Sequence, residues 1–154
     1  LKAQTDFGFL GTYNKNKGNI PFERFFLGGD GMMQYALDGR EIIALRGYEN
    51  QSLSSRNGSV IYNKYSLELR YPISLKPTAS VFALSFLEAG NGFDDFKDYS
   101  PFDLKRSAGI GVRVFMPAFG LLGIDFGYGF DTSNISNTGQ RSGWQTHFVI
   151  GQQF

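Results

Sequence analysis

The sequence contains no cysteine, which excludes disulfides, thiol catalysis and thiolate-bound metal ions. It also has almost no net charge, since 15 lysines and arginines against 14 aspartates and glutamates leave +1. A nucleic-acid-binding surface therefore has no electrostatic support, and we expect no nucleic acid partner. No apolar run approaches the ~18 residues that a membrane-spanning helix needs. Histidine occurs once, as His147, so we expect no metal site and no other cofactor.

Glycine and aromatic residues are abundant instead. The 154 residues, enough for one ordinary domain, include 20 glycines, 16 phenylalanines and 8 tyrosines. Glycine costs about 1 kcal/mol relative to alanine inside a helix, so this composition favours strands joined by tight turns. The chain begins at Leu1 without an initiator methionine or a signal peptide, and we expect a processed precursor or a piece of a longer protein.

Six segments alternate between apolar and polar residues with the period of a β-strand. Each is long enough to cross a bilayer as a tilted strand of about 9–11 residues. The segments lie at approximately residues 2–13, 59–73, 78–91, 104–116, 122–131 and 144–154. Because proline is excluded from interior ladder positions, we expect a short turn bracketed by Pro72 and Pro77. In the third segment the alternation is too weak to show which residues share a face.

The charged residues of these segments indicate what lies on each side of the sheet. The polar faces carry Lys64, Glu68, Arg70, Arg113 and Asp125. Facing lipid, each cation would cost about 2–4 kcal/mol near the bilayer midplane, so we expect these side chains to face a wet lumen. A soluble β-sandwich would alternate in the same way, but the apolar faces of the last two segments are long and aromatic for one shared core.

The connections alternate between short and long, as they do in outer-membrane barrels, where short turns are periplasmic and long loops are extracellular. The sequence therefore predicts an all-β protein, a transmembrane antiparallel β-barrel. Six strands are fewer than the roughly eight of the smallest membrane barrels. We expect the chain to be the C-terminal part of a larger barrel, with a partner chain as the alternative source of the missing strands.

The longest segment without strand alternation runs from Pro21 to Tyr48. It is too apolar for a disordered loop, and it ends in Leu45-Arg46-Gly47-Tyr48, where a lone cation stands beside a glycine between apolar residues. We expect this loop to fold inward and to carry Arg46 with it. A hydrophobic hairpin with an incidental arginine is the alternative.

Four motifs, in this order and spacing, make the chain resemble the C-terminal barrel of the BamA family, the central component of the outer-membrane β-barrel assembly machinery. They are Pro21-Phe22-Glu23-Arg24-Phe25-Phe26-Leu27-Gly28-Gly29, Leu45-Arg46-Gly47-Tyr48, Phe86-Leu87-Glu88-Ala89-Gly90 and Phe148-Val149-Ile150-Gly151-Gln152-Gln153-Phe154. The second is similar to the tip of the family's extracellular loop, the third to a strand motif, and the fourth to the terminal β-signal with its closing aromatic residue. The loop between Gly29 and Leu45 is longer than in the family.

The resemblance implies a sixteen-strand barrel preceded by periplasmic POTRA domains, of which residues 1–154 would form about six C-terminal strands. It implies that Phe86 and Glu88 face the lumen, and that Arg46 docks on Glu88 with Glu68 as the second candidate partner. It also implies a seam at the last strand that opens to receive a client. The residues placed at this seam are Phe148, Ile150, Gly151 and Phe154.

The function that the resemblance implies is that of an insertase of the bacterial outer membrane, without enzymatic activity. Its partners would be outer-membrane protein clients, accessory lipoproteins bound through the POTRA domains, and the lipid bilayer. The alternative is a polypeptide-secreting transporter of the same superfamily, with the lumen as its conduit. A small enzyme or a plain porin is a third class. Asp94 and Asp95 do not support catalysis, because adjacent side chains point apart, and we find no nucleophile–base pairing.

Overall fold

The computed structural model describes residues 1–11, 23–31, 40–76, 79–117, 120–135 and 139–151. The strands in these ranges are β1 (Lys2–Phe9), β2 (Phe25–Leu27), β3 (Glu41–Ile43), β4 (Ile61–Lys76), β5 (Ala79–Phe93), β6 (Lys105–Met116), β7 (Gly120–Thr132) and β8 (Arg141–Gly151). Six of them form one antiparallel sheet in the order β1-β4-β5-β6-β7-β8, which confirms the predicted all-β class. Among the described residues, no helix has the length and hydrophobicity that a membrane crossing requires.

The sheet is apolar on its outer face and polar on its inner face. Leu87 and Ile150 are 57% and 69% exposed, whereas Glu88 and Asp125 are 5% and 0% exposed. Successive residues of a strand point to opposite faces, so the alternation of the sequence becomes this separation directly. A water-soluble domain buries the apolar set and exposes the charged one. The inverted burial is the pattern of a barrel wall with lipid outside, not that of a soluble sandwich.

The prediction that a short turn begins at Pro72 is wrong. Pro72 lies inside β4, where it pairs with Phe82, and the strand continues to Lys76. The register shifts between Pro72 and Ser74. Such an irregularity lets a ladder accommodate a residue that has no N–H to donate.

Between β1 and β4, the described residues 23–31 and 40–60 lie against the inner face and contain two short strands. β2 and β3 pair in parallel, with Phe25 opposite Glu41 and Leu27 opposite Ile43, although the sequence of this segment shows no strand alternation. Its apolar side chains do not need a separate domain core, because they pack on one another and on the inner wall. The buried cluster consists of Phe25, Leu27, Leu45, Tyr48, Leu53 and Tyr62.

The loops at the end of the sheet that carries the long connections hold this segment in place. The Asn134 amide nitrogen donates to Ser52 O at 2.9 Å, and Asn134 Nδ2 donates to Leu53 O at 2.8 Å and to Asn91 Oδ1 at 3.0 Å. The β7–β8 connection is therefore bonded both to the inward-folded segment and to β5.

Candidate functional site

The motif Leu45-Arg46-Gly47-Tyr48 forms the tip of the inward-folded segment, two residues after β3. Leu45 pairs with Gly29 through two backbone hydrogen bonds of 3.1 and 3.2 Å, and the side chains of Leu45 and Tyr48 are fully buried. Gly47 has a φ of +87°, a left-handed conformation that glycine adopts without strain. The tip therefore turns tightly, and Arg46 projects toward the sheet.

Glu88 on β5 binds both the backbone and the side chain of Arg46. The Arg46 amide nitrogen donates to Glu88 Oε2 at 2.8 Å, while Nε and Nη2 donate to Oε1 at 3.1 and 2.6 Å. Hydrogen bonds between ionised groups are roughly twice as strong as neutral ones, and a fork of two of them also sets direction. One carboxylate thus determines the orientation of the loop tip.

The guanidinium of Arg46 has three further partners on the wall. Nη1 donates to Asp125 Oδ2 at 3.0 Å, Nη2 donates to Glu68 Oε2 at 3.3 Å, and the guanidinium carbon lies 3.7 Å from the ring centroid of Phe86. Glu68 is on β4 and Asp125 on β7, strands that would be about 14 Å apart in a flat sheet. Because one planar group reaches both, the wall curves around it.

The charges at the site compensate one another. Arg113 donates to both oxygens of Asp125, at 2.5 and 2.6 Å, so that this fully buried carboxylate is shared by two arginines. Burial alone would lower the pKa of Arg46, but hydrogen bonds and charge from Glu88 and Asp125 outweigh it and hold that pKa above its usual value. Arg46 is therefore charged while docked, and removing a partner would leave a buried charge unpaired.

Gly47 packs backbone to backbone against the wall of β6 and β7. A methyl group on Gly47 would lie 2.9 Å from Ser107 Cβ and 3.0 Å from the Tyr128 carbonyl carbon, and one on Gly127 would lie 2.7 Å from the Gly47 nitrogen. Real side chains essentially never approach so closely, so glycines are required on both sides of this contact. The seat of the loop is thus a glycine-lined stretch of the inner wall.

Two more hydrogen bonds complete the docking. The Gly47 amide nitrogen donates to His147 Nε2 on β8 at 2.8 Å, and the Tyr48 hydroxyl donates to Arg106 O on β6 at 2.7 Å. Burial raises the pKa of Tyr48 to about 12. The four-residue motif therefore contacts each strand from β4 to β8.

The structure brings together four of the residues singled out from the sequence, Arg46, Glu88, Glu68 and Phe86. Three others are elsewhere, since Phe148 and Ile150 are exposed on the outer face of β8 and Gly151 ends that strand. Phe154 lies outside the described residues, as do Pro21 and Phe22 of the first motif.

Two residues of the site, Asp125 and His147, contact the loop although no sequence pattern predicts it. A signal for Asp125 exists, because it is a carboxylate on an inward face that otherwise alternates through Gly123, Gly127 and Gly129. Asp125 is also the register partner of His147 across β7 and β8, which places both side chains on the same face. No sequence pattern indicated that the tip of the loop would reach them.

The site is suited to holding a loop reversibly, without covalent chemistry. Within the ranges that the structure describes, no group of three or more His, Cys, Asp or Glu residues is arranged to hold a metal ion. Its interactions are ion pairs, hydrogen bonds and close backbone packing between a loop and a wall.

Two comparisons with known proteins bear on this arrangement. Residues 1–154, the whole chain, match the family model described as the Omp85 superfamily domain. A search of curated proteins found no match.

Proposed function

Because the chain belongs to the Omp85 superfamily of outer-membrane β-barrel proteins, we propose that it is the C-terminal part of a BamA-type insertase of the bacterial outer membrane. Residues 1–154 would supply the last six strands of a sixteen-strand barrel. The clients would be outer-membrane β-barrel proteins. Accessory lipoproteins would bind through POTRA domains that precede the barrel in the full protein.

The observation that carries the proposal is the loop docked across the inner face. Arg46 joins carboxylates of β4, β5 and β7, so the loop tip lies on the inner wall, along the path that a polypeptide crossing the lumen would take. A lateral route does not require that path. In the full barrel the other edge of β8 would face the first strand, and parting of that seam would present its backbone groups to a client strand.

A client strand would join this edge by β-augmentation, adding main-chain hydrogen bonds one residue at a time. An open edge is unstable in lipid, where each unpaired backbone group costs several kcal/mol, and this cost favours capture of an incoming strand. The edge strand is irregular at its start, since Gly143 has a φ of +73° and the β7–β8 register shifts between Gly129 and Thr132. A glycine within a strand forfeits side-chain packing, so Gly143 would also weaken pairing on the seam side of β8.

No step of this mechanism forms or breaks a covalent bond, so we propose that the protein is not an enzyme. Strand exchange between a seam and a client needs only hydrogen bonds that are released and remade. The bilayer is itself a partner, because the outer face is lined by exposed apolar residues such as Leu87 and Ile150.

A disulfide across the seam tests the proposal. Residues 1–154 contain no cysteine, so a cysteine introduced in β8 and one in the strand facing it would have no competitor within this chain. We expect client insertion into vesicles to stop under oxidising conditions and to resume after reduction. The control pair is Val112→Cys with Ile124→Cys, which links residues already opposite each other in β6 and β7 and should leave insertion unchanged. Full activity with the seam locked would contradict the proposal.

A second candidate is a polypeptide-secreting transporter of the same superfamily. It is favoured by the polar inner wall, where Lys64 and Arg70 flank the docked arginine and would line a wet conduit once the loop moved out. The sequence upstream distinguishes the two, because about five POTRA repeats favour assembly and one or two favour secretion. Secretion would also continue with the seam locked, whereas insertion would not.

A further inference from the structure

The hydrogen bond between Gly47 and His147 joins the docked loop to the last strand. Both residues are buried, and the donor–acceptor distance is 2.8 Å. The other hydrogen bonds of the motif to the wall reach β4, β5, β6 and β7, where the acceptors are Glu68, Glu88, the Arg106 carbonyl and Asp125. Among the described residues, this bond is the one that carries the motif to β8.

The chemistry of imidazole makes this contact selective. Gly47 donates its N–H, so Nε2 must offer a lone pair, and the ring proton of neutral His147 then resides on Nδ1. The Gly47 amide nitrogen is enclosed by the glycine seat, since the place of a methyl group on Gly127 is only 2.7 Å from it. Without the acceptor, a buried N–H would be left unpaired, which costs more than the bond itself gains.

The position of His147 in the sheet gives the contact a mechanical role. His147 pairs with Asp125 across β7 and β8, and Asp125 binds Arg46. Adjacent residues of the loop are thus held by adjacent strands, Arg46 through β7 and Gly47 through β8. Displacing β8 from β7 would pull the acceptor away from Gly47 while leaving the bonds of Arg46 intact.

We propose that His147 is a positioning residue that couples the docking of the loop to the placement of the last strand. Outward movement of β8 loosens the loop tip, and a docked tip holds β8 in register. The coupling rests on the proposed insertase function, in which β8 forms one side of the seam. Coupling between two sites is reciprocal, so each should report on the other.

The test compares two substitutions in the intact protein, reconstituted in lipid bilayers. His147→Leu removes the acceptor at similar size, whereas His147→Gln places an amide oxygen near the position of Nε2. Thr146→Val, on the outer face of the same strand, is the matched control. The direct readout is hydrogen exchange of the Gly47 amide, followed by NMR in protein labelled with ¹⁵N-glycine, and the functional readout is the rate of client insertion.

We expect exchange at Gly47 to accelerate about 10- to 100-fold in His147→Leu, as for a buried N–H that loses its partner. Client insertion should slow in the same variant. His147→Gln should restore both within about threefold, on the scale of exchanging one neutral acceptor for another. The amides of Gly109 and Gly123, which lie within β6 and β7, should remain protected throughout.

Several results would overturn the coupling. Unchanged Gly47 exchange in His147→Leu would show that the bond does not hold the tip. Equal losses in the leucine and glutamine variants, or loss of protection at Gly109 and Gly123 as well, would reduce His147 to a packing residue. Faster Gly47 exchange with normal insertion would separate the loop from the seam. If the parent protein inserts no client, the proposed function fails, while the exchange data still decide whether His147 holds Gly47.

Discussion

Replacing Glu88 with glutamine should release the loop while leaving the barrel folded. The substitution preserves the shape of the side chain but removes its charge and turns one acceptor oxygen into an NH₂ donor. In the structure Oε1 accepts from Nε and Nη2 of Arg46, and Oε2 accepts from its backbone N–H. Whichever way the amide is oriented, a donor will face a donor.

The size of the effect depends on which contacts of Arg46 remain in the Glu88→Gln variant. Breaking a buried ion pair costs about 3–5 kcal/mol when the remaining charge is left uncompensated. Here Asp125 and Glu68 still contact the guanidinium of Arg46 at 3.0 and 3.3 Å, so the loss should be smaller. The Glu88 side chain is only 3% exposed, so solvent screening does little to reduce the free-energy cost of breaking this ion pair. We expect docking to weaken by about 2–3 kcal/mol, a 30- to 150-fold increase in the undocked fraction by the usual conversion of about 1.4 kcal/mol per tenfold.

Trypsin can measure the undocked fraction directly, because it cleaves after arginine and the side chain of docked Arg46 is only 11% exposed. When a segment opens and closes faster than it is cut, the cleavage rate is proportional to the open population. The Arg46–Gly47 cleavage rate is therefore measured by mass spectrometry relative to cleavage after Arg56, which is exposed. Cleavage after Arg113, inside β6, should stay at the parent level and so exclude unfolding of the barrel.

Glu68→Gln is the matched control for this experiment. Glu68 makes one hydrogen bond with Arg46, at 3.3 Å, and is also bound by Arg70 at 2.5 Å. Its loss should cost about 1 kcal/mol, or roughly a fivefold increase in cleavage. The reasoning fails if Glu88→Gln is cut no faster than the parent protein, or if Glu68→Gln is cut faster than Glu88→Gln.

Three further predictions concern the wall and the loop. Asp125→Asn should lower the free energy of unfolding in urea by about 3–5 kcal/mol, because two buried guanidiniums lose a carboxylate. Adding Arg113→Met should recover part of that loss, and a purely additive double variant would contradict this account. Gly127→Ala should overpack the contact between the inner wall and Gly47 at a cost of about 1–3 kcal/mol, and so increase cleavage of the loop tip. Gly11→Ala should not increase it, because its methyl group meets nothing within 4 Å. Equal cleavage of the two variants would argue against the glycine-lined contact. Docking should weaken as pH rises from about 10 through about 12, because burial raises the pKa of Tyr48 from 10.0 to about 12. The neutral hydroxyl contributes fully to the stability of docking below about pH 10, and this contribution is lost as the hydroxyl ionises. A fluorophore on the loop would follow this transition, which Tyr48→Phe should lack, and the same profile in both proteins would exclude Tyr48 as its cause.

Much of the wall could be read from the sequence, because alternation maps directly onto the two faces of a strand. In β6 and β7 the apolar and polar sets were clear, and Arg113 and Asp125 indeed lie inward. Local rules failed where strand pairing overrode them. Pro72 did not end β4, because a register shift accommodates it, and β2 and β3 are too short to carry a periodic signal.

The candidate site could also be predicted from the sequence only in part. Arg46 and Glu88 stand in recognisable motifs, so the resemblance alone implies their pairing. Asp125 and His147 stood in no such motif. Their contacts with the loop join residues 79 and 100 positions apart in the chain, which no local pattern can specify.

The sequence alone determined that alternate side chains face opposite environments, because the period of a strand is a local property of the backbone. It also indicated that an apolar loop folds inward and carries Arg46 with it, and the resemblance of its motifs implied acidic partners for that arginine. Only the tertiary structure decided that Asp125 and His147 also bind the tip of this loop. The curvature of the sheet and the register of β7 against β8 bring four strands around a single guanidinium and its neighbouring amide, and both depend on every strand pair between them.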